Sequence, residues 1–374
     1  MDSRCSFPQF ERGEELAGKR RRLQEFFVAR GLDGLLVSRL ENIAWATAGL
    51  VDVRIGLPRE TGAASLLFTR EGAYYLTTNN EAPRLAREEF ASLDYQPLFQ
   101  PWYVPDLESL IRKVVGSGKV GADNPGTAFP FVPMNSLRLA LTESEVERYR
   151  WLGENVANVV TEALHNLKPG MTEAAMQAMI GGGLLAQGIL PSVLLTAVDE
   201  RIRNFRHAVP RNGVLQRFGM LNVCARRWGL CVSMTRFVHF GAMPAELSDK
   251  FAAAARVNAS LLHATQEGAT AEDLFVVAHE AYAAEGYAEE EKMHHQGGAT
   301  GYWEREWIAR PGATDRVLAI QAMAWNPSIQ GAKAEDTVVL QNGRLEILTS
   351  TPTLPLIETH LGGTTYHSAG VLLA

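Results

Sequence analysis

Cysteine is scarce in this chain: three in 374 residues, at Cys5, Cys224 and Cys231. So small and odd a number builds no disulfide framework and fits a reducing compartment. Cys224 and Cys231 are too far apart in sequence for the close pairs of a zinc ribbon. They are expected to be buried thiols that pack as small apolar side chains. Long apolar runs are also missing; no stretch approaches the roughly 18 residues of a membrane span. The opening MDSRCSFPQFERGEELAGKRRRL has no apolar core of a signal peptide. A cytoplasmic protein without a membrane partner is therefore expected. Positive charge is not in excess. The net charge of −6 argues against nucleic acid, which needs a basic face. The basic run KRRRL follows GEEL and leads into a helical pattern, so it reads as a solvated helix face. Repeats and low-complexity tracts are lacking too.

What is present is a large apolar fraction, 46%, in a chain long enough for two domains. Residues 14–31 show helical periodicity and stop at Gly31. DGLLVSR reads as a buried strand, ENIAWATAG as a short helix or turn, and AASLLFTREGAYYLTTN as a hairpin. EAPRLAREEF (helix), LDYQPLF (strand), VPDLESLIRKVVGSG (helix) and KVGAD (strand) complete an α/β pattern. NPGTAFPFVP, rich in Pro and Gly, is the candidate linker. After it the pattern changes. A long helix with a capping box at Thr142–Glu145 is followed by a second helix, then strands, a helix pair near 245–286, and strands again. Strands and helices in blocks rather than strict alternation argue an α+β second domain.

The stretch HHQGGATGYWERE, from His294 to Glu306, sets adjacent histidines before paired glycines. Histidine clusters mark metal or proton-transfer sites. As neighbours on a strand, His294 and His295 would point to opposite faces, which argues against a shared metal. Five segments in order then carry a resemblance: the long helix with LKPGMTEAAM, RNFRHAVPRNG, LNVCARRWGLCVSMTRFVHFG, HHQGGATG and NPSIQGAKAEDTVVLQNGRLEILT. Together they resemble the creatinase/aminopeptidase P/prolidase family. The resemblance implies a pita-bread domain over 136–374, behind a creatinase-type N-terminal α/β domain over 1–135, and commonly a homodimer.

The metallopeptidases of that family hold two divalent metals with two Asp, one His and two Glu. The matching positions here are Asn222, Ser233, Gly298, Asn326 and Glu335. One carboxylate in five does not hold two hard cations, and Asn and Ser are weak oxygen donors beside carboxylates. No resident metal and no cofactor are expected. The resemblance places His207 at the family's proton-handling histidine and His294 at a substrate-side histidine. Arg236 is the Arg of the T-R-T motif. Lys333 stands at an Arg position, and Arg305 at a second substrate-contacting histidine. Trp303 falls in the segment lining the site mouth.

Creatinase, in the same family, hydrolyses a C–N bond of a small guanidino compound without metal. By that analogy the chain is expected to act on a small molecule bearing a carboxylate and a nitrogen function. His207 would be the general base, with His294 and Glu335 beside it, and Arg236, Arg305, Lys333 and Trp303 would bind substrate. Two other readings are open. One is an inactive binding protein. The other is an aminopeptidase with an unusual mononuclear site drawn from His207, His294, His295, Glu304, Glu306 and Glu335.

Overall fold

The computed structural model describes residues 10–374; Cys5 and the start of the N-terminal segment lie outside the described residues. The chain divides between Arg138 and Leu139 into two compact units. Among the described residues no helix is long and apolar enough to cross a membrane.

The first unit is built on a five-stranded sheet. Its strands are β1 (Gly34–Arg39), β2 (Thr61–Thr69), β3 (Ala73–Thr78), β4 (Gln96–Gln100) and β5 (Val120–Ala122), in the order β4-β3-β2-β1-β5. β2 and β3 form the expected hairpin, and β5 joins β1 in parallel. Leu36, Leu67, Leu76, Ile111 and Ala122 make its core. Gly31 closes the first helix in the left-handed conformation (φ 57°), as a glycine at a helix end does at low cost. The segment read as a linker belongs to this unit instead. Ala122 N–H donates to Pro130 O (2.9 Å) and Val132 N–H to Ala122 O (2.7 Å), so the Pro-rich strap is laced onto β5. Proline and glycine mark a break in regular structure here, not a break between domains.

The second unit opens on the helix Glu143–Asn166. Its capping box is present, with Thr142 Oγ1 accepting from Glu145 N–H and Thr142 N–H donating to the Glu145 carboxylate (2.7 Å). Strands β6 (Leu190–Val198), β7 (Phe218–Arg227) and β8 (Leu230–His239) form an antiparallel sheet. β8 is buried along its whole length, so it reads as a continuous apolar run with polar residues only at special places. The helices Ala245–Ala264 and Ala271–Ala284 follow. A second sheet joins β9 (Gly297–Thr300), β10 (Gln321–Trp325), β13 (Asp336–Gln341) and β14 (Arg344–Ile347) in the order β14-β13-β10-β9. The short pair β11 (Ser328–Ile329) and β12 (Ala332–Lys333) links β10 to β13. β15 (Leu356–Leu361) and β16 (Thr364–Ala369) form a hairpin, and β17 (Val371–Leu373) runs parallel to β8. This is the pita-bread arrangement of an α+β domain.

Candidate active site

The register of β7 and β8 builds the site floor. Asn222 lies opposite Thr235, and Cys224 opposite Ser233. Residues two apart on a strand share a face, so these four side chains form one patch. Glu335, between β12 and β13, reaches this patch. Its Oε2 accepts from Asn222 Nδ2 (2.6 Å), Thr235 Oγ1 (2.5 Å) and Lys333 Nζ (3.0 Å). Arg305 Nη2 stands 3.6 Å from its Oε1. Burial works against the charge on Glu335, but Lys333, Arg305 and the Thr235 hydroxyl outweigh it and hold the carboxyl down to about 2. Asn222 therefore presents an amide donor to the carboxylate, in the geometry of a hydrogen-bond partner.

Three histidines gather beside it. His207 sits in the turn after the short helix Glu200–Asn204, and its Nε2 meets His294 Nε2 at 3.1 Å. Arg206 fixes that turn by an ion pair with Glu290 and a hydrogen bond to Ser328 Oγ (3.0 Å). Met293 and His294 form a bend ahead of β9, and His295 precedes the strand. The His294 and His295 rings consequently stack, with centroids 4.4 Å apart and 26° between planes. This corrects the expectation of opposite faces, which holds only for extended backbone. Buried Gln296 pins the loop through Nε2 bonds to Glu291 O (3.2 Å) and His294 O, and its Oε1 accepts from Tyr282 (2.8 Å). Burial lowers all three imidazoles. Lys333 adds to this at His207 and His294, and Arg305 and Lys333 at His295; His294 falls to about 3 and His295 to about 4. All three are neutral bases at pH 7.

The family's two-metal centre does not fit these residues. Gly298 stands at the metal-histidine position, and a Cβ built there would lie 2.2 Å from Trp307 O, a backbone atom. No side chain of any kind enters without moving β9 or the chain at Trp307. Ser233 Oγ donates to Cys224 Sγ (3.1 Å) and receives Arg305 Nη1 (3.4 Å). Asn326 is buried with its Oδ1 unpartnered, a single neutral oxygen. Lys333 and Arg305 bring positive charge to Glu335, the one carboxylate among these positions. Gly298→His is expected to destabilise the fold by about 1–3 kcal/mol, as overpacking does, and to recruit no manganese. Chemical unfolding with elemental analysis checks both; an unchanged melt with bound manganese would show the backbone yields there.

Several predicted residues take other roles. Arg236 was expected to clamp a substrate carboxylate, but its guanidinium is only 1% exposed and is bonded all round. It donates to Thr351 Oγ1 (2.9 Å), Thr235 O (2.7 Å), Glu335 O (3.2 Å), Asp336 Oδ1 (2.6 Å) and Thr349 O (2.7 Å). It is a bolt between β8 and β13. The cation over Trp303 is Arg226, 5.6 Å from the ring centroid, and Arg226 also pairs with Glu304 (3.1 Å). Glu335 is itself a positioning group, since its acceptors face protein donors. Thr235 and Gln296 escaped the sequence reading, whereas Cys224 is the buried thiol it expected. Nothing in a single Thr or Gln marks it as part of a site. Cys224 is buried under Ser233, and burial pushes its thiol up to about 11, so it is no nucleophile at neutral pH.

Residues 147–342, more than half of the chain, match the profile of metallopeptidase family M24, and residues 19–168 match the creatinase/prolidase N-terminal domain. No curated protein matches the chain. Among solved structures, dipeptidase PepE from Mycobacterium ulcerans is similar over 98% of this chain and 100% of its own, with TM-score 0.76 and 17% identity. The Xaa-Pro dipeptidase from Bacillus anthracis is similar over 96% and 100%, with TM-score 0.74 and 18% identity. The N-terminal domain of the FACT complex subunit SPT16 from Cicer arietinum is similar over 92% and 97%, with TM-score 0.67 and 12% identity. At these identities the likeness is one of fold. The profile match over the second unit, together with the five ordered motifs, places this chain in metallopeptidase family M24.

Proposed function

We propose that the chain is a hydrolase that works without the family's two metals. It would cleave a C–N bond of a small molecule carrying a carboxylate and a nitrogen function. The observation that supports this reading is a built polar layer: a buried carboxylate holding Lys333 and Arg305 beside two imidazoles in contact. A decayed site would leave such charges unpaired, at a cost of several kcal/mol. One carboxylate against two cations leaves the pocket net positive, which suits an anionic substrate group. Lys333 has donors beyond its bond to Glu335, and Arg305 Nε is buried without a partner, so both have capacity for a substrate carboxylate. A small cleft of about 20 Å³, lined by Phe205, Arg206, His294 and Lys333 among others, borders His294 and Lys333.

In the reaction, His207 takes a proton from water as the water oxygen bonds to the substrate carbon. The C–N bond breaks as the imidazolium returns that proton to the leaving nitrogen. His294 holds the His207 ring through the shared Nε2 contact. Glu335 keeps Lys333 and Arg305 in place.

The test is a turnover screen of creatine-like and other small amidines and amides against Xaa-Pro dipeptides, with and without chelator. Turnover of a carboxylate-bearing amide or amidine that survives chelation is expected, and protein purified from manganese-supplemented medium is expected to hold well under one equivalent of it. Activity that vanishes with chelator and returns with manganese overturns the proposal. The fold is shared with a subunit of the FACT complex. Tight binding of a substrate-like carboxylate with no turnover of any candidate would assign the chain to the binding-protein reading.

A further inference from the structure

Among the described residues, His207, His294 and His295 are the one group of metal-ligating side chains whose donor atoms converge, all within 4.8 Å of one another. None of the three is a metal-ligand position of the family. His207 and His294 meet Nε2 to Nε2 at 3.1 Å, so a single proton lies between two lone pairs. A zinc-sized cation bonds imidazole nitrogen at about 2.0–2.1 Å, which for tetrahedral ligands sets the nitrogens about 3.3 Å apart. The pair is already at that separation. A ring nitrogen of the stacked His295 lies within 4.8 Å of both other donor atoms, the third ligand of the group. The buried Nδ1 atoms of His294 and His295 have no hydrogen-bond partner, so no other protein group holds those nitrogens. His207 is exposed, which gives an entry path and leaves a fourth position for water or ligand.

We propose that these three histidines form a site for one borderline divalent transition metal ion, zinc or cobalt, separate from the two-metal position of the family. Three neutral nitrogens and no carboxylate select against magnesium, calcium and manganese, which take oxygen ligands. Lys333 and Arg305 lie on the same side, and Glu335 offsets only one of them. The Nδ1 atoms of His294 and His295 also lack the partner that usually strengthens a histidine ligand. Both facts make the site weaker than a structural zinc site. A metal bound there would occupy the imidazole that the proposed reaction uses as base, so zinc would inhibit turnover. That consequence rests on the proposed function; binding does not.

The full chain is titrated with cobalt, followed by its visible ligand-field absorption, and with zinc by calorimetry. One equivalent of each is expected, and none of manganese. His207→Ala, His294→Ala and His295→Ala should each weaken binding at least about tenfold. Asn326→Ala, at a family ligand position, should leave it unchanged. Absence of cobalt and zinc binding overturns the proposal, as does binding retained in His295→Ala or lost in Asn326→Ala. Because no substrate enters the measurement, its failure leaves the proposed function standing, and failure of the turnover screen leaves the metal site standing.

Discussion

His207→Asn is expected to lower turnover by about 10²–10⁴-fold while leaving folding and substrate affinity close to wild type. In the proposed metal-free reaction some side chain must move the proton. His207 is the imidazole exposed to solvent, and it contacts His294 through Nε2. Burial and Lys333 lower its basicity, which favours the unprotonated form that accepts a proton. Asparagine keeps a similar size and a hydrogen-bonding end but accepts no proton. His294→Asn should act less on kcat, because His294 orients the base and does not take the proton itself. On the substrate found by screening, the measurement is kcat and KM for both variants, with circular dichroism as the folding control. A wild-type rate in His207→Asn would rule out this residue as the base, whatever else the site does.

Arg236→Met is expected to cost about 3–5 kcal/mol of stability, the largest loss from any single substitution in the site region. The guanidinium joins β8 to β13 through Asp336, Thr349 and Thr351. Methionine fills much of the volume but leaves the Asp336 carboxylate buried without its cation. Burial already pushes that carboxyl up, with Arg236 the main group opposing it, so the variant protonates Asp336 more readily. Three backbone carbonyls, of Thr235, Glu335 and Thr349, lose donors as well. Arg236→Lys should recover part of the loss, since an ammonium matches only some of the five acceptors of a planar guanidinium. Denaturant unfolding measures both variants. A methionine variant as stable as wild type but weak in substrate binding would return Arg236 to the role of substrate clamp.

The sequence by itself determined the α/β-then-α+β layout, the capped helix at Thr142, the family, and which residues stand at the family's metal-ligand positions. Each is local information. Periodicity records which faces are apolar, a capping box spans four residues, and Asn222, Ser233, Gly298 and Asn326 can be compared with a motif one position at a time. Only the tertiary structure decided which donors meet which acceptors. Arg236 and Asp336 are a hundred residues apart in sequence, and β8 lying against β13 makes their pairing possible. A bend before β9 turned two neighbouring histidines to one side, where strand alternation would have parted them. The close approach of Trp307 made Gly298 a closed position and not merely a missing ligand. The Pro-rich strap looked like a linker because proline and glycine report only local backbone habit. Its hydrogen bonds to Ala122 depend on a strand already formed elsewhere. A residue type states what a group is able to bond, and the packed sheets and loops select the partner, because a buried donor or acceptor without one is costly.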